Sequence, residues 1–461
     1  MNSESQSFVP ATQQAESEES TVDEVRESLS TTEKGQPANT IGNCRTVFCQ
    51  DPLLRGAIRL NLLTDRVDIV RDLGWRRSTS ALTDTDVKYL LLYFEQNYGL
   101  TSEKKLMAAL SIVANENCYH PIQDVLNSLE WDGKPRIRSC LHHFLGADES
   151  DYVEEMLKHF LLGAIRRVFH PGSKYEELLC LVGGQGAGKS SFFRLLAIRD
   201  EWFSDDLKKL DDDRVYLKLQ GHWIIEMSEM LATSNAKSIE EIRSFISRQK
   251  ETYRTPYETQ PKDRLRQCVF GGSSNTLDFL PLDRAGNRRF LPVMIYPEKA
   301  EVHILEDEAA SREYLLQVWA EAMTIYRSGE YSMKFSKEIQ KQLVEVQKDF
   351  MPEDTEAGQI LGFLEHYTGN VVCSKQLFKE ALGHAFEEPK RWQLHNINEI
   401  MNTVVTGWKP FSNPRMFAGY GRQRGWERES SGNELPGNES GFVELSEEDV
   451  HQLELPKEWI A

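Results

Sequence analysis

The chain has 461 residues, 40% of them hydrophobic, and a formal net charge of −18, which is enough for about two to four domains with buried cores. No run of about 18 apolar residues occurs, which excludes a membrane-spanning helix, and the basic-then-apolar pattern of a secretory signal is missing, so the cytoplasm is expected. Seven scattered cysteines without a C-x-x-C pair fit a reducing compartment and argue against a zinc site.

The charge is unevenly spread. Residues 1–40 carry eight acids against two bases, and residues 427–461 carry ten against two, so these ends hold 14 of the 18 negative charges. Acidity confined to the ends does not exclude nucleic acid as a partner.

Residues 1–40 are rich in Ser, Thr, Glu and Gln. They offer too little apolar surface to offset ordering entropy and are expected to form a disordered acidic tail. From 41 to 172 the pattern is that of a mostly helical N-terminal domain. Thr83 and Asp86 make a capping box ahead of Val87, Leu90, Leu91 and Phe94, residues 104–114 give a second helix, and Val153 to Val168 a long amphipathic one. The domain over 173–350 alternates strand and helix, the sign of a parallel α/β sheet, with strands expected at 178–182, 223–225, 267–270 and 290–295 and a helix over 309–327. Residues 351–426 read as a small winged-helix-like unit with helices over 357–367, 374–385 and 392–404, followed by an acidic flexible tail over 427–461.

The chemistry begins where the apolar strand Leu178 to Val182 runs into Gly183-Gly184-Gln185-Gly186-Ala187-Gly188-Lys189-Ser190-Ser191. This is G-x-x-x-x-G-K-S in its strand–loop–helix setting. Its glycines are expected to take positive φ so that successive N–H groups face a polyphosphate. Lys189 supplies charge for the β- and γ-phosphates of ATP, and the Ser190 hydroxyl is a ligand for Mg²⁺.

An acid at the end of a neighbouring strand is the next requirement. His222-Trp223-Ile224-Ile225-Glu226-Met227-Ser228-Glu229 supplies Glu226 as a metal-holding and catalytic carboxylate, with Glu229 as a second candidate. Asn275, after Gln267 to Ser274, would position water at the γ-phosphate. Arg288 and Arg289, just before a strand, are candidates to stabilise phosphoryl charge, often from a neighbouring subunit. The plainer readings are solvated glutamates, a turn asparagine and a structural ion pair.

Cations interleaved with tyrosines between Ser247 and Arg266 suit single-stranded nucleic acid, with Arg248, Lys250, Arg254, Tyr257 and Lys262 as DNA-contact candidates. Arg422 and Arg424 repeat that chemistry near the C-terminus. The plainer reading of both stretches is a solvated basic loop or a protein contact.

Together these residues resemble the virulence-associated protein E family of phage and mobile-element ATPases, relatives of superfamily 3 helicases and phage primase-helicases. The resemblance covers roughly 45–425. It is carried by Asn115 to Pro121, Leu129-Glu130-Trp131-Asp132-Gly133-Lys134-Pro135-Arg136, the loop at 183–190, Trp223 to Glu226, Arg254-Thr255-Pro256-Tyr257 and Gly286-Asn287-Arg288-Arg289-Phe290. It implies a P-loop NTPase core of the AAA+ or superfamily 3 type, and a homo-oligomeric ring, a hexamer, with ATP between subunits. Lys189, Ser190 and Glu226 would act in cis, Asn275 as sensor, and Arg288 or Arg289 as a finger in trans. The 248–264 segment lies where superfamily 3 helicases place a DNA-gripping hairpin. The acids at 226 and 229 are not adjacent, a departure that leaves the water-activating role open between them. Residues 1–40 are too short and polar to be a primase, so priming would need a separate chain.

The reading is an ATP- and Mg²⁺-dependent DNA helicase or replication ATPase of a prophage or other mobile element. The alternatives are a nucleotide-dependent DNA-binding initiator or switch that unwinds nothing, and a P-loop kinase acting on a small molecule.

Overall fold

The computed structural model describes residues 21–207, 210, 215–227, 236–253, 262–280, 282 and 287–429. They fall into two compact units that divide at Pro352/Glu353.

The first unit opens with a short helix, α1 (Val22–Glu27), started by a Thr21/Glu24 capping box. It buries Val25 and, just beyond, Leu29, and Asn43 accepts from and donates to Ser30. Residues 21–40 are therefore ordered, against the expectation of a disordered tail over 1–40. A few well-spaced apolar residues suffice when a neighbouring helix supplies the rest of the core. That helix is α2 (Ile41–Gln50), followed by β1 (Ile58–Asn61) and β2 (Arg66–Ile69). Next come α3 (Asp84–Tyr98), α4 (Glu103–Glu116) and a short β3 (Cys118–Tyr119). The strands form a sheet of order β2-β1-β3. The capping box at Thr83 and Asp86 is formed, and α3 ends on Gly99 at φ 67°. Phe48, Phe94, Leu106 and Leu110 share its core.

α5 (Pro121–Ser128), α6 (Ile137–Leu145) and α7 (Asp151–Phe169) lead into β4 (Leu178–Val182) and α8 (Lys189–Leu196). Then follow β5 (Phe203–Ser204), β6 (Ile224–Glu226), α9 (Ala236–Ile246), β7 (Lys250–Tyr253), β8 (Lys262–Leu265), β9 (Val269–Ser274) and β10 (Phe290–Met294). The unit closes with α10 (Glu308–Ser328) and α11 (Lys337–Lys348).

Five strands form one parallel sheet of order β10-β4-β9-β6-β5, an α/β architecture. Its alternate residues serve two cores, because successive side chains leave opposite faces. Leu179, Leu181, Ile224 and Val269 pack with Met156, Phe160, Phe193 and Trp319 on one face. Leu178, Cys180, Ile225 and Phe270 pack with Ile246 on the other. α5, α6 and α7 all join that first core of the sheet, so the packing runs straight through the boundary expected at 172.

In the second unit α12 (Thr355–His366), β11 (Val371–Cys373) and α13 (Ser374–Gln376) run into a π-helical stretch, Leu377–Ala381. α14 (Arg391–Thr403), β12 (Trp408–Phe417) and β13 (Gly421–Arg428) complete it. The strands form an antiparallel sheet of order β11-β13-β12. Ile360, Val372, Ile397 and Trp426 make the core. Gly425 is required where β13 meets β11, since a Cβ there would lie 2.0 Å from the Val372 carbonyl oxygen.

Candidate functional site

All five residues of β4 are buried, which fixes where its carboxyl end delivers the glycine loop. Positive φ occurs at Gly186 (80°) and Gly188 (81°) but not at Gly183 or Gly184, so the expectation for those two is corrected. Gly183 is needed for room instead: a Cβ would sit 2.7 Å from the Ile295 carbonyl oxygen. Gly188 caps α8 without a side-chain hydrogen bond, so the first turn of that helix keeps backbone donors for a ligand.

Two neighbouring strands, β6 and β9, bring polar side chains toward the loop. Glu226 ends β6, and its Oε1 accepts from Ser190 Oγ at 2.8 Å and Ser273 Oγ at 2.5 Å. Its Oε2 is buried without a hydrogen-bond partner among the described residues. Burial pushes the Glu226 carboxyl above the usual carboxylate range, against the hydroxyls of Ser273 and Ser190. Lys189 Nζ donates to the carbonyls of Gly183 and Gly184, both at 2.7 Å, and to Asn275 Oδ1 at 2.8 Å. Burial lowers its pKa, and the Glu226 charge opposes that shift. Lys189, Ser190, Glu226 and Asn275 therefore converge.

Lys189, Ser190 and Asn275 line a cleft of about 650 Å³ with the glycine loop, Ser273, Thr276, His303 and Leu305, and Glu226 is buried behind Ser190 and Ser273. Clefts of that volume hold a nucleotide-sized ligand. A magnesium triphosphate fits the donor set on one observation: among the described residues, an ammonium satisfied by carbonyls and an amide stands near a buried carboxylate oxygen with no partner.

Residues 126–352 match the model of the virulence-associated protein E-like domain. Those residues carry a virulence-associated protein E-like domain. No curated protein matches the sequence. Among solved structures, the apo structure of the NrS-1 C-terminal region is similar at 14% identity over 80% of this chain and 95% of that one, with a TM-score of 0.42. An A form of the same region is similar at 14% identity over 80% and 96%, with a TM-score of 0.43.

Within the virulence-associated protein E-like domain the other sequence candidates lie apart from the cleft. Arg288 and Arg289 precede β10 and pair with Glu176, at 3.4 and 3.3 Å. This is the amino end of the parallel strands, about 16 Å from the carboxyl end at a strand rise of about 3.3 Å per residue. The expected basic loop contains an antiparallel hairpin, β7–β8. Its described cations are matched by acids: Lys250 with Asp263, Lys262 and Arg264 with Asp65, and both Arg248 and Arg266 with Glu251. Asp65 is remote in sequence, so a local reading of basic composition missed it. Glu229, Arg254 and Tyr257 lie outside the described residues. In the second unit Arg422 is exposed and donates to the Pro414 carbonyl at 3.4 Å, and Arg424 borders a groove with Asn398 and Asn402. Ser273 was missed in the sequence because a serine inside an apolar strand carries no signal until the strand order is known.

No helix among the described residues is long and apolar enough to cross a membrane.

Proposed function

We propose that this chain is a cytoplasmic ATPase of a prophage or other mobile genetic element, acting on DNA during replication. The observation that carries the reading is the meeting of Lys189 and Ser190, from one end of α8, with Glu226 and Asn275 from two neighbouring strands. An acid strand separated from the loop strand by one intervening strand is the arrangement expected of a P-loop NTPase of the AAA+ or superfamily 3 class.

Lys189 Nζ would exchange its carbonyl acceptors for β- and γ-phosphate oxygens, while the N–H groups of the loop and of the first turn of α8 hold the rest of the chain of phosphates. Ser190 Oγ and Glu226 would hold a magnesium ion, whose charge would offset that of the phosphates. Asn275 orients the attacking water, and Glu226 or Glu229 accepts its proton. Arg288 and Arg289 stand too far from their own cleft to serve it, which favours a role in the cleft of the next subunit of a hexameric ring. The hairpin β7–β8 and the winged-helix-like second unit are the proposed DNA contacts.

Lys189→Ala is expected to abolish ATP hydrolysis with an unchanged melting transition. Unchanged turnover would remove the loop from the mechanism.

A second reading, a nucleotide-dependent initiator or switch without unwinding, is favoured by one observation: the described hairpin cations are already engaged by Asp65, Glu251 and Asp263. Stimulation of ATPase by single-stranded DNA, with strand displacement on a forked duplex, supports the helicase. Hydrolysis indifferent to DNA supports the switch.

A further inference from the structure

The residue directly after Glu226 is the buried Met227, so no acid adjoins Glu226 in the chain. The sheet supplies another. β5 pairs with β6 in parallel, Phe203 opposite Ile224 and Ser204 opposite Ile225. Asp205 follows directly where that pairing ends, and the same register carried one step further would bring it level with Glu226.

Residues in register on parallel strands point to the same face, with Cα atoms about 5 Å apart. The packing fixes which face this is. Phe203 and Ile224 both join the core beneath α8, whereas Ile225 belongs to the core on the other side. Alternation then places Asp205 with Glu226 on the α8 face, where Ser190 reaches Glu226. Glu226 is 1% exposed, and its Oε2 has no hydrogen-bond partner among the described residues.

We infer that Asp205 is the second carboxylate of the cation site, flanking Glu226 Oε2 and the Ser190 hydroxyl. Two carboxylates and a hydroxyl leave the remaining positions to phosphate oxygens and water, the mixture that magnesium prefers. Asp205 is exposed at the sheet edge, so it reaches the ion from the solvent side while Glu226 holds it from the core side. The inference rests on the nucleotide reading of the cleft.

The test is an electron paramagnetic resonance titration of the full chain with Mn²⁺ in the presence of ATPγS, together with melting curves. Asp205→Asn is expected to weaken Mn²⁺ retention about tenfold while leaving the melting transition unchanged. Asp206→Asn, which removes a neighbouring acid paired with Lys218 at 3.2 Å, is expected to bind Mn²⁺ as the unaltered chain does. Equal Mn²⁺ retention by Asp205→Asn and the unaltered chain overturns the role of Asp205 and leaves the nucleotide reading standing. An equal loss in both variants also overturns it, as a general charge effect. Failure of the unaltered chain to retain Mn²⁺ with ATPγS overturns the nucleotide reading, and this inference with it.

Discussion

Ser190 and Glu226, 36 residues apart in the chain, are joined by a 2.8 Å hydrogen bond that ties the start of α8 to the end of β6. The bond ties the buried carboxylate to a hydroxyl that lines the cleft, with Ser273 on β9 holding the same oxygen. A carboxylate kept in a buried corner is costly unless something with charge-stabilising donors shares it.

Replacing Glu226 by Gln separates its charge from its shape. ATP hydrolysis is expected to fall by at least about a hundredfold with ATP binding retained. Because burial raises this carboxyl in the folded state, its contribution to stability is complete below the unfolded value of 4.5 and is lost as pH rises through the higher folded value. Glu226→Gln should therefore melt higher than the unaltered chain at pH 7, with the difference vanishing below pH of about 4. Melting curves across that range, beside an ATPase assay, check both halves. A lower melting point for the variant at pH 7 contradicts the first.

Asp86 shows the opposite sign. Burial would raise its pKa, but hydrogen bonds from Trp75, Thr83 and Arg77 overcome this and bring it to about 2. The stability it adds is present above the ordinary value of 3.8 and is lost as pH falls toward 2. That contribution is about 2 kcal/mol. Asp86→Asn should lower stability at pH 7 by about that amount or more, since Arg77 loses a partner in a half-buried setting. The variant should also show a weaker acid transition between those limits, measured by urea unfolding at several pH values.

Gly271 lies on the α8 face of β9, where a Cβ would come within 2.5 to 2.8 Å of three Phe193 ring carbons. Gly271→Ala should force Phe193 and the helix away, costing about 1–3 kcal/mol and weakening nucleotide binding with it. Differential scanning calorimetry and ATP titration are the measurements. A neutral variant means that the ring relaxes without moving α8.

Asp65 sits in the loop between β1 and β2 and holds Lys262 at 2.6 Å and Arg264 at 3.2 Å, both on β8. Under the DNA-contact reading, Asp65→Asn should raise affinity for a single-stranded oligonucleotide several-fold at low salt, with a steeper salt dependence because more phosphate contacts form. Fluorescence anisotropy over a salt series checks this. Unchanged affinity places DNA elsewhere than the hairpin root.

The local patterns of this chain were legible because they depend on near neighbours. Thr83 and Asp86 announce a helix start, and the helical expectation over 309–327 meets α10 at Glu308–Ser328. The strand expected at 267–270 runs instead from Val269 to Ser274, since Gly271, Gly272 and two serines hide a strand whose pairing on both sides keeps it buried. β1, β2 and β3 were not anticipated within the helical stretch. They are two to four residues long, too short to show a period.

Sequence alone determined the glycine loop with its lysine and serine, and an acid after an apolar strand, because each is a contiguous chemical pattern. Tertiary structure alone decided which residues from distant segments share a corner. Ser273 reaches Glu226, Asp65 engages the hairpin cations, and Glu176 holds Arg288 and Arg289. The reason is physical: strand order and register are set by burying both faces of a sheet at once, and that condition involves the whole core rather than any window of the chain.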